Sequence, residues 1–105
     1  MAVKFVITTL KPGVDRKVYE RWVRERDYAY TNRNPNFISY RVHRISEIAG
    51  APPPGWRYIE RIEVKNLDQH QKDLASPEGA ALLDELYGRF LDRSKNIYLT
   101  TELVE

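Results

Sequence analysis

Between Val3 and Leu10 apolar residues, several of them β-branched, are interspersed with Lys4, Thr8 and Thr9, and the run stops at Lys11-Pro12-Gly13. That pattern predicts a strand closed by a turn. A helix follows, with Asp15 as N-cap and Val14 and Tyr19 at the two positions of a hydrophobic staple. Tyr19, Trp22 and Val23 share one face of it, while Glu20 with Arg24 and Arg21 with Glu25 make four-residue charge pairs on the other. It is expected to fray around Asp27 to Thr31. After the break at Asn32-Arg33-Asn34-Pro35-Asn36, the alternation from Phe37 to Ile48 predicts a long second strand. The segment Ala49-Gly50-Ala51-Pro52-Pro53-Pro54-Gly55 is too rich in proline and glycine for regular structure and joins it to a third strand, Trp56 to Val64. Leu67 to Ala75 reads as a short helix. Ser76 and Pro77 start another, in which Leu83, Leu86, Tyr87, Phe90 and Leu91 fall at i, i+3, i+4, i+7 and i+8. Asn96 to Val104 alternates once more as a fourth strand.

The predicted order β-α-β-β-α-β is the ferredoxin-like α+β arrangement, a four-stranded antiparallel sheet with its helices on one face. No segment is left over to cover the other face, to which Val6, Phe37, Tyr58, Ile62 and Tyr98 contribute apolar surface, depending on register. The expectation is therefore a homodimer packed sheet on sheet, with a cavity for a small organic ligand between or beside the sheets.

Composition narrows the function classes. With 105 residues the chain is expected to form a single domain, 1–105. Its 17 basic and 15 acidic residues are mixed along the chain and leave a net charge of only +2, which argues against nucleic acid as a partner. No apolar run is long enough for a membrane span, and Met1-Ala2-Val3-Lys4 does not read as a secretory leader, so a cytoplasmic protein without a membrane partner is expected. The absence of cysteine removes disulfides, thiol nucleophiles and thiolate-held metals. His43 and His70 are far apart in sequence, and no metal site or cofactor is expected.

Several short segments are similar to one known family. Lys11-Pro12-Gly13-Val14-Asp15 and Tyr19 to Tyr28, Ser39-Tyr40-Arg41-Val42, Tyr58-Ile59-Glu60 with Ile62-Glu63-Val64, and Asp73 to Glu78 together resemble the REDY-like, HapK-like proteins of the dimeric α/β barrel superfamily. The tetrad that gives the family its name stands here as Glu25-Arg26-Asp27-Tyr28, with the first two residues exchanged, and Arg61 replaces an apolar sheet residue. The resemblance implies a ferredoxin-like fold, a barrel-forming dimer, and a link to secondary metabolite biosynthesis around pyrrole-like or other aromatic compounds.

Candidate chemistry centres on the strands. Ser39, Arg41 and His43 share one side of the second strand, opposite Ile38, Tyr40 and Val42. His43 on the cavity side is the candidate general acid or base, and Arg41 would orient an anionic or carbonyl oxygen. Barrel lining without a chemical task is the alternative for His43. Glu60 lies between Tyr58 and Ile62, where an apolar cavity would raise its pKa, or where a salt bridge with Arg41 would cancel that shift. Tyr28, Tyr58 and Tyr98, from a set of seven tyrosines, offer aromatic walls with hydroxyl tips. Asp27 either reaches over the cavity mouth or ends its helix with a local hydrogen bond. The function expected is a cofactor-independent small-molecule enzyme or enzyme accessory of specialised or aromatic-compound metabolism, acting by proton transfer in the cavity of the dimer; the alternative is a non-catalytic small-molecule binding or intermediate-carrier protein.

Overall fold

The alternating segments form strands β1 (Ala2–Thr9), β2 (Phe37–Arg44), β3 (Arg57–Val64) and β4 (Ile97–Thr101), which pair antiparallel in the order β2-β3-β1-β4. The computed structural model describes residues 2–105; Met1, which belongs to the N-terminal stretch read above, lies outside them. Helices α1 (Arg16–Trp22), α2 (Tyr28–Arg33), α3 (Leu67–Ala75) and α4 (Pro77–Arg89) complete the ferredoxin-like fold. Among the described residues no helix is long and apolar enough to cross a membrane.

Strand register decides which side chains meet. Val42, Glu60, Val6 and Tyr98 lie in one row across the four strands, and Tyr40, Ile62, Lys4 and Thr100 in the next. These rows share the phase whose residues Val6, Tyr40, Tyr58, Glu60, Ile62 and Val64 are buried, which is the face under the helices. The opposite face carries Val3, Phe5 and Ile7 of β1, Ile59 of β3, and Ile97 and Leu99 of β4. The open-face role of Val6, Phe37, Tyr58, Ile62 and Tyr98 depended on register, and the register puts all five on the helix side. Both phases of β1 are apolar, so alternation alone does not say which one faces inward. Phe37 and Tyr40 reach the same side because an irregularity between Phe37 and Ser39 admits one extra residue, leaving Ile38 exposed.

The first helical segment does not fray at Asp27. It passes through a π-helical stretch, Val23–Asp27, in which the Tyr28 N–H donates to the Val23 carbonyl, and continues as α2 to Arg33. The wider turn has a geometric consequence. At about 100° per residue, eight residues of unbroken α-helix would place Asp27 about 80° from Tyr19; absorbing one residue brings it back to within about 20°. The buried stripe thus runs Tyr19, Trp22, Val23, Asp27, Tyr30 and Thr31, with Arg26 turned outward to Glu85. Asp15 caps α1 as predicted, accepting from the Lys17 N–H at 2.9 Å. Glu20 reaches Tyr58, Arg44 and Arg16 rather than Arg24.

The cap of α4 also forms as predicted, the Ser76 hydroxyl accepting from the Gly79 N–H and donating to the Asp73 carbonyl. α4 packs Leu82, Leu86 and the following Phe90 against Tyr19, Trp22 and Tyr58. Asn66 caps α3, and Asn36 exchanges two hydrogen bonds with Asn66, tying the start of β2 to the end of β3.

Candidate active site

The inward row of β3 and the π-helical stretch meet at a cavity of about 90 Å³ between the sheet and the helices. Its apolar lining comes from Val6, Phe37 and Ile62 below and from Leu74, Leu82, Leu83 and Leu86 above. Into it the sequence delivers Lys4, Asp27, Tyr40, Glu60, His70, Tyr87 and Tyr98. Most of these polar groups are held by the fold for identifiable local reasons. Asp27 is turned inward by the wide helical turn, and Tyr40 by strand alternation. Tyr87 and Tyr98 are bridged by the Asn96 amide, which donates to their hydroxyls at 2.7 and 3.0 Å.

The Tyr40 hydroxyl donates to Asp27 Oδ2 at 2.7 Å, and Asp27 is only 5% exposed. Burial raises the Asp27 carboxyl to about 6, against the stabilising pull of that hydrogen bond. Glu60 is 7% exposed, forms no ion pair among the described residues, and lies beside the Tyr40 hydroxyl that donates to Asp27. Burial, and then the negative charge of Asp27, raises it to about 8, opposed by the Tyr40 hydroxyl and the Lys4 ammonium. The pair is thus set to hold a single proton near neutral pH, with Glu60 pushed further up than Asp27. Tyr40 and Tyr19 are pushed well above the ordinary tyrosine range, chiefly by burial and then by these same acids. His70 is lowered by burial and by Lys4, with Asp73 acting the other way, and its buried Nδ1 has no hydrogen-bond partner.

Of the residues singled out in the sequence, the structure brings Asp27, Glu60 and Tyr98 into this cavity. Tyr28 and Tyr58 line a neighbouring depression of about 260 Å³ with Glu20 and Arg44. There the Tyr58 hydroxyl donates to Glu20 at 2.7 Å, and the Tyr28 hydroxyl accepts from the Val42 N–H at 3.0 Å. His43 pairs with Ile59 on the opposite face and is exposed. Arg41 starts on that face too, at the edge strand, and its guanidinium lies 5.6 Å from the Tyr28 ring. Within one chain Tyr58 and Glu60 thus stand on the helix side of the sheet and Arg41 and His43 on its open side. The expected Arg41–Glu60 salt bridge is absent because Glu60 stands opposite Val42, while Arg41 stands opposite Arg61 with the other phase.

Tyr40, Lys4, His70 and Tyr87 were not singled out as site residues. For His70 a signal existed: Leu67, His70 and Leu74 fall at i, i+3 and i+7, so the imidazole lies on the apolar stripe of α3. Among the described residues no cluster of His, Cys, Asp or Glu is placed to hold a metal ion.

A family model described as REDY-like protein HapK matches residues 2–104. The chain belongs to the REDY-like HapK family. HapK from Hahella chejuensis has the same fold, with a TM-score of 0.77 at 20% identity over 99% of this chain and 93% of that one. The hydroxynitrile lyase from Passiflora edulis is also similar, with a TM-score of 0.72 at 14% identity over 99% of this chain and 94% of the other. A dimeric α/β barrel (DABB) family protein with a ferredoxin-like fold, from Mesorhizobium loti, aligns with a TM-score of 0.70 at 10% identity over 99% and 98% of the two chains. Among curated proteins no sequence matches this chain. The family's name-giving segment, Glu25 to Tyr28, falls at the wide helical turn and holds the buried Asp27.

Proposed function

We propose that this HapK-family protein is a small-molecule enzyme that works without a cofactor, by proton transfer between Asp27, Glu60 and a ligand in the cavity beneath its helices. The observation that carries this reading is the Glu60 carboxyl, buried against the cavity without an ion pair and beside a second carboxylate that holds the Tyr40 hydroxyl. Two acids whose environments separate their pKa values make an acid and a base of the same residue chemistry. Asp27 takes a proton from carbon next to a carbonyl, the C–H electron pair becomes the new C=C bond, and the carbonyl oxygen receives the Glu60 proton. The reverse step returns the ketone, so the exchange needs no co-reactant. Tyr40 positions Asp27 and stabilises its charge. A protein named as a hydroxynitrile lyase with the same fold supports a reaction chamber in this architecture. Arg41 and His43 lie outside the cavity, and in this reading they serve the open sheet face, where a second copy docks.

The test is catalysed deuterium exchange. Incubating the protein with acetylacetone or 2,3-butanedione in D2O and following the loss of the exchangeable C–H signals by proton NMR should show a rate at least about 100-fold above buffer, within the range of general acid–base catalysis. Glu60→Gln and Asp27→Asn should return it to the buffer rate. The wild-type rate should rise through about pH 6, as Asp27 ionises, and fall through about pH 8, as Glu60 loses its proton. Binding of these compounds without any exchange would favour the carrier reading instead.

A further inference from the structure

We infer that Lys4 and His70 form an anion-holding end of the same cavity, and that its ligand is a short oxo acid whose carboxylate lies on Lys4 while its ketone faces Glu60. The inference rests on the reading of this cavity as the ligand site, and adds the class of ligand.

Lys4 occupies the inward row of β1, opposite Ile62 and one diagonal from Glu60. It is partly buried and lines the cavity, yet among the described residues it makes neither an ion pair nor a hydrogen bond. An ammonium at the border of such a chamber, partly covered and without a partner, favours an anionic oxygen there. Glu60 does not do so: it is close enough for the two charges to interact but forms no ion pair with Lys4. His70 is 3% exposed, is fixed edge-on against Phe37 with ring centroids 5.5 Å apart, and keeps a buried Nδ1 without a partner. Lys4 on β1 and His70 on α3 thus both border one small chamber, with neither the Lys4 ammonium nor the buried His70 Nδ1 hydrogen-bonded among the described residues.

Ligand chemistry follows by elimination. At the Lys4 end a cation would meet the ammonium, while the Asp27 carboxylate keeps an anionic group away from the other end, and a wholly apolar ligand would leave Lys4, His70 and Glu60 all unanswered. An anionic oxygen accepts from Lys4, and a hydroxyl or carboxylate oxygen also meets the His70 ring. The remaining carbonyl is then left to Glu60, which needs a hydrogen-bond acceptor when protonated. Size sets the last limit. A cavity of about 90 Å³ accommodates a short acid of three or four carbons.

The experiment compares pyruvate with 2,3-butanedione, which replaces the carboxylate by an acetyl group, using isothermal titration at pH 7 and methyl deuteration in D2O. The wild type should bind pyruvate at least about tenfold more tightly than 2,3-butanedione. Lys4→Met should erase that preference, Lys4→Arg should keep most of it, and His70→Phe should weaken pyruvate binding several-fold. Circular dichroism of each variant confirms that it is folded. Equal affinity for the two probes, no measurable binding of pyruvate, or a preference that survives in Lys4→Met would overturn the inference. Its fate is separable from that of the proton-transfer reading. Lys4-dependent pyruvate binding without methyl exchange leaves the anion site standing and removes the chemistry, whereas Glu60-dependent exchange of 2,3-butanedione without a pyruvate preference does the reverse.

Discussion

Glu60 shows how one carboxyl couples function to stability. The folded protein binds its proton more tightly than the unfolded chain does, since burial and Asp27 raise it from the ordinary range to about 8. A raised carboxyl contributes stability in full below its unfolded pKa, near 4.5, and loses that contribution as pH rises through the folded value. Asp27 repeats this over a lower window, from 3.8 to about 6. The wild type should therefore become less stable from pH 5 to pH 9. Glu60→Gln removes the larger part of the slope, because an amide has no proton to lose. Denaturant titrations should find the variant within about 1 kcal/mol of wild type at pH 5 and more stable by about 1–3 kcal/mol at pH 9. A difference that stays constant across pH would mean that Glu60 is not held protonated by the fold. The residue itself was visible in the sequence, as a carboxylate in the apolar phase of β3. Its partner was not: Asp27 points inward only because a wide turn absorbs one residue, and the charge-rich run Arg24-Glu25-Arg26-Asp27 carries no apolar periodicity to show where that turn lies.

Elements with strong local signals could be read closely from the chain, and those fixed by tertiary contacts could not. The caps at Asp15 and Ser76 and the bounds of α3 follow side-chain chemistry within a few residues of each helix start. The end of β2 is different. Its alternation continues to Ile48, but pairing with β3 stops at Arg44, because the partner strand begins only at Arg57 and Ile48 turns back to bridge with Ala51. The junction of α3 and α4 gives a sharp test of packing at this scale. Gly79 is buried in the first turn of α4, where a Cβ would overlap the Asp73 carbonyl oxygen and press on Asp73 C at 3.0 Å and Leu74 Cα at 3.1 Å, all of them backbone. Since backbone cannot rotate away, Gly79→Ala should cost about 3 kcal/mol and displace the helix that carries His70 and Leu74. Gly88, nearer the end of the same helix, has open space where a Cβ would go, so Gly88→Ala should be stabilising by about 0.5–1 kcal/mol through helix propensity. Thermal unfolding of the two variants side by side separates close packing from propensity; similar shifts in both would contradict the crowded junction.

At the scale of the whole molecule, the open sheet face is what the chain by itself leaves unfinished. Across it run the rows His43, Ile59, Ile7, Ile97 and Arg41, Arg61, Phe5, Leu99, so the β1–β4 half is apolar and the β2–β3 half is charged. Ile97 and Leu99 are 46% and 42% exposed, an arrangement that invites burial against another surface. The sequence announced that one face would lack a cover, and it misjudged which residues would form it because both phases of β1 are apolar. A second copy is the occupant we propose, since a two-fold axis sets the apolar half of one sheet against its equal and leaves Arg41 and His43 toward the rim. Sedimentation at micromolar concentration should then give twice the chain mass. Leu99→Asp places an uncompensated carboxylate in the middle of that contact, at a cost of several kcal/mol, and should yield a folded monomer. Thr100→Asp, one residue along and on the other side of the sheet, should leave the mass unchanged. The cavity holding Asp27 and Glu60 lies beneath the helices of a single chain, so the monomer should keep its affinity for ligand to within a few-fold. A Leu99→Asp monomer that no longer binds would show instead that the second copy helps to close the site.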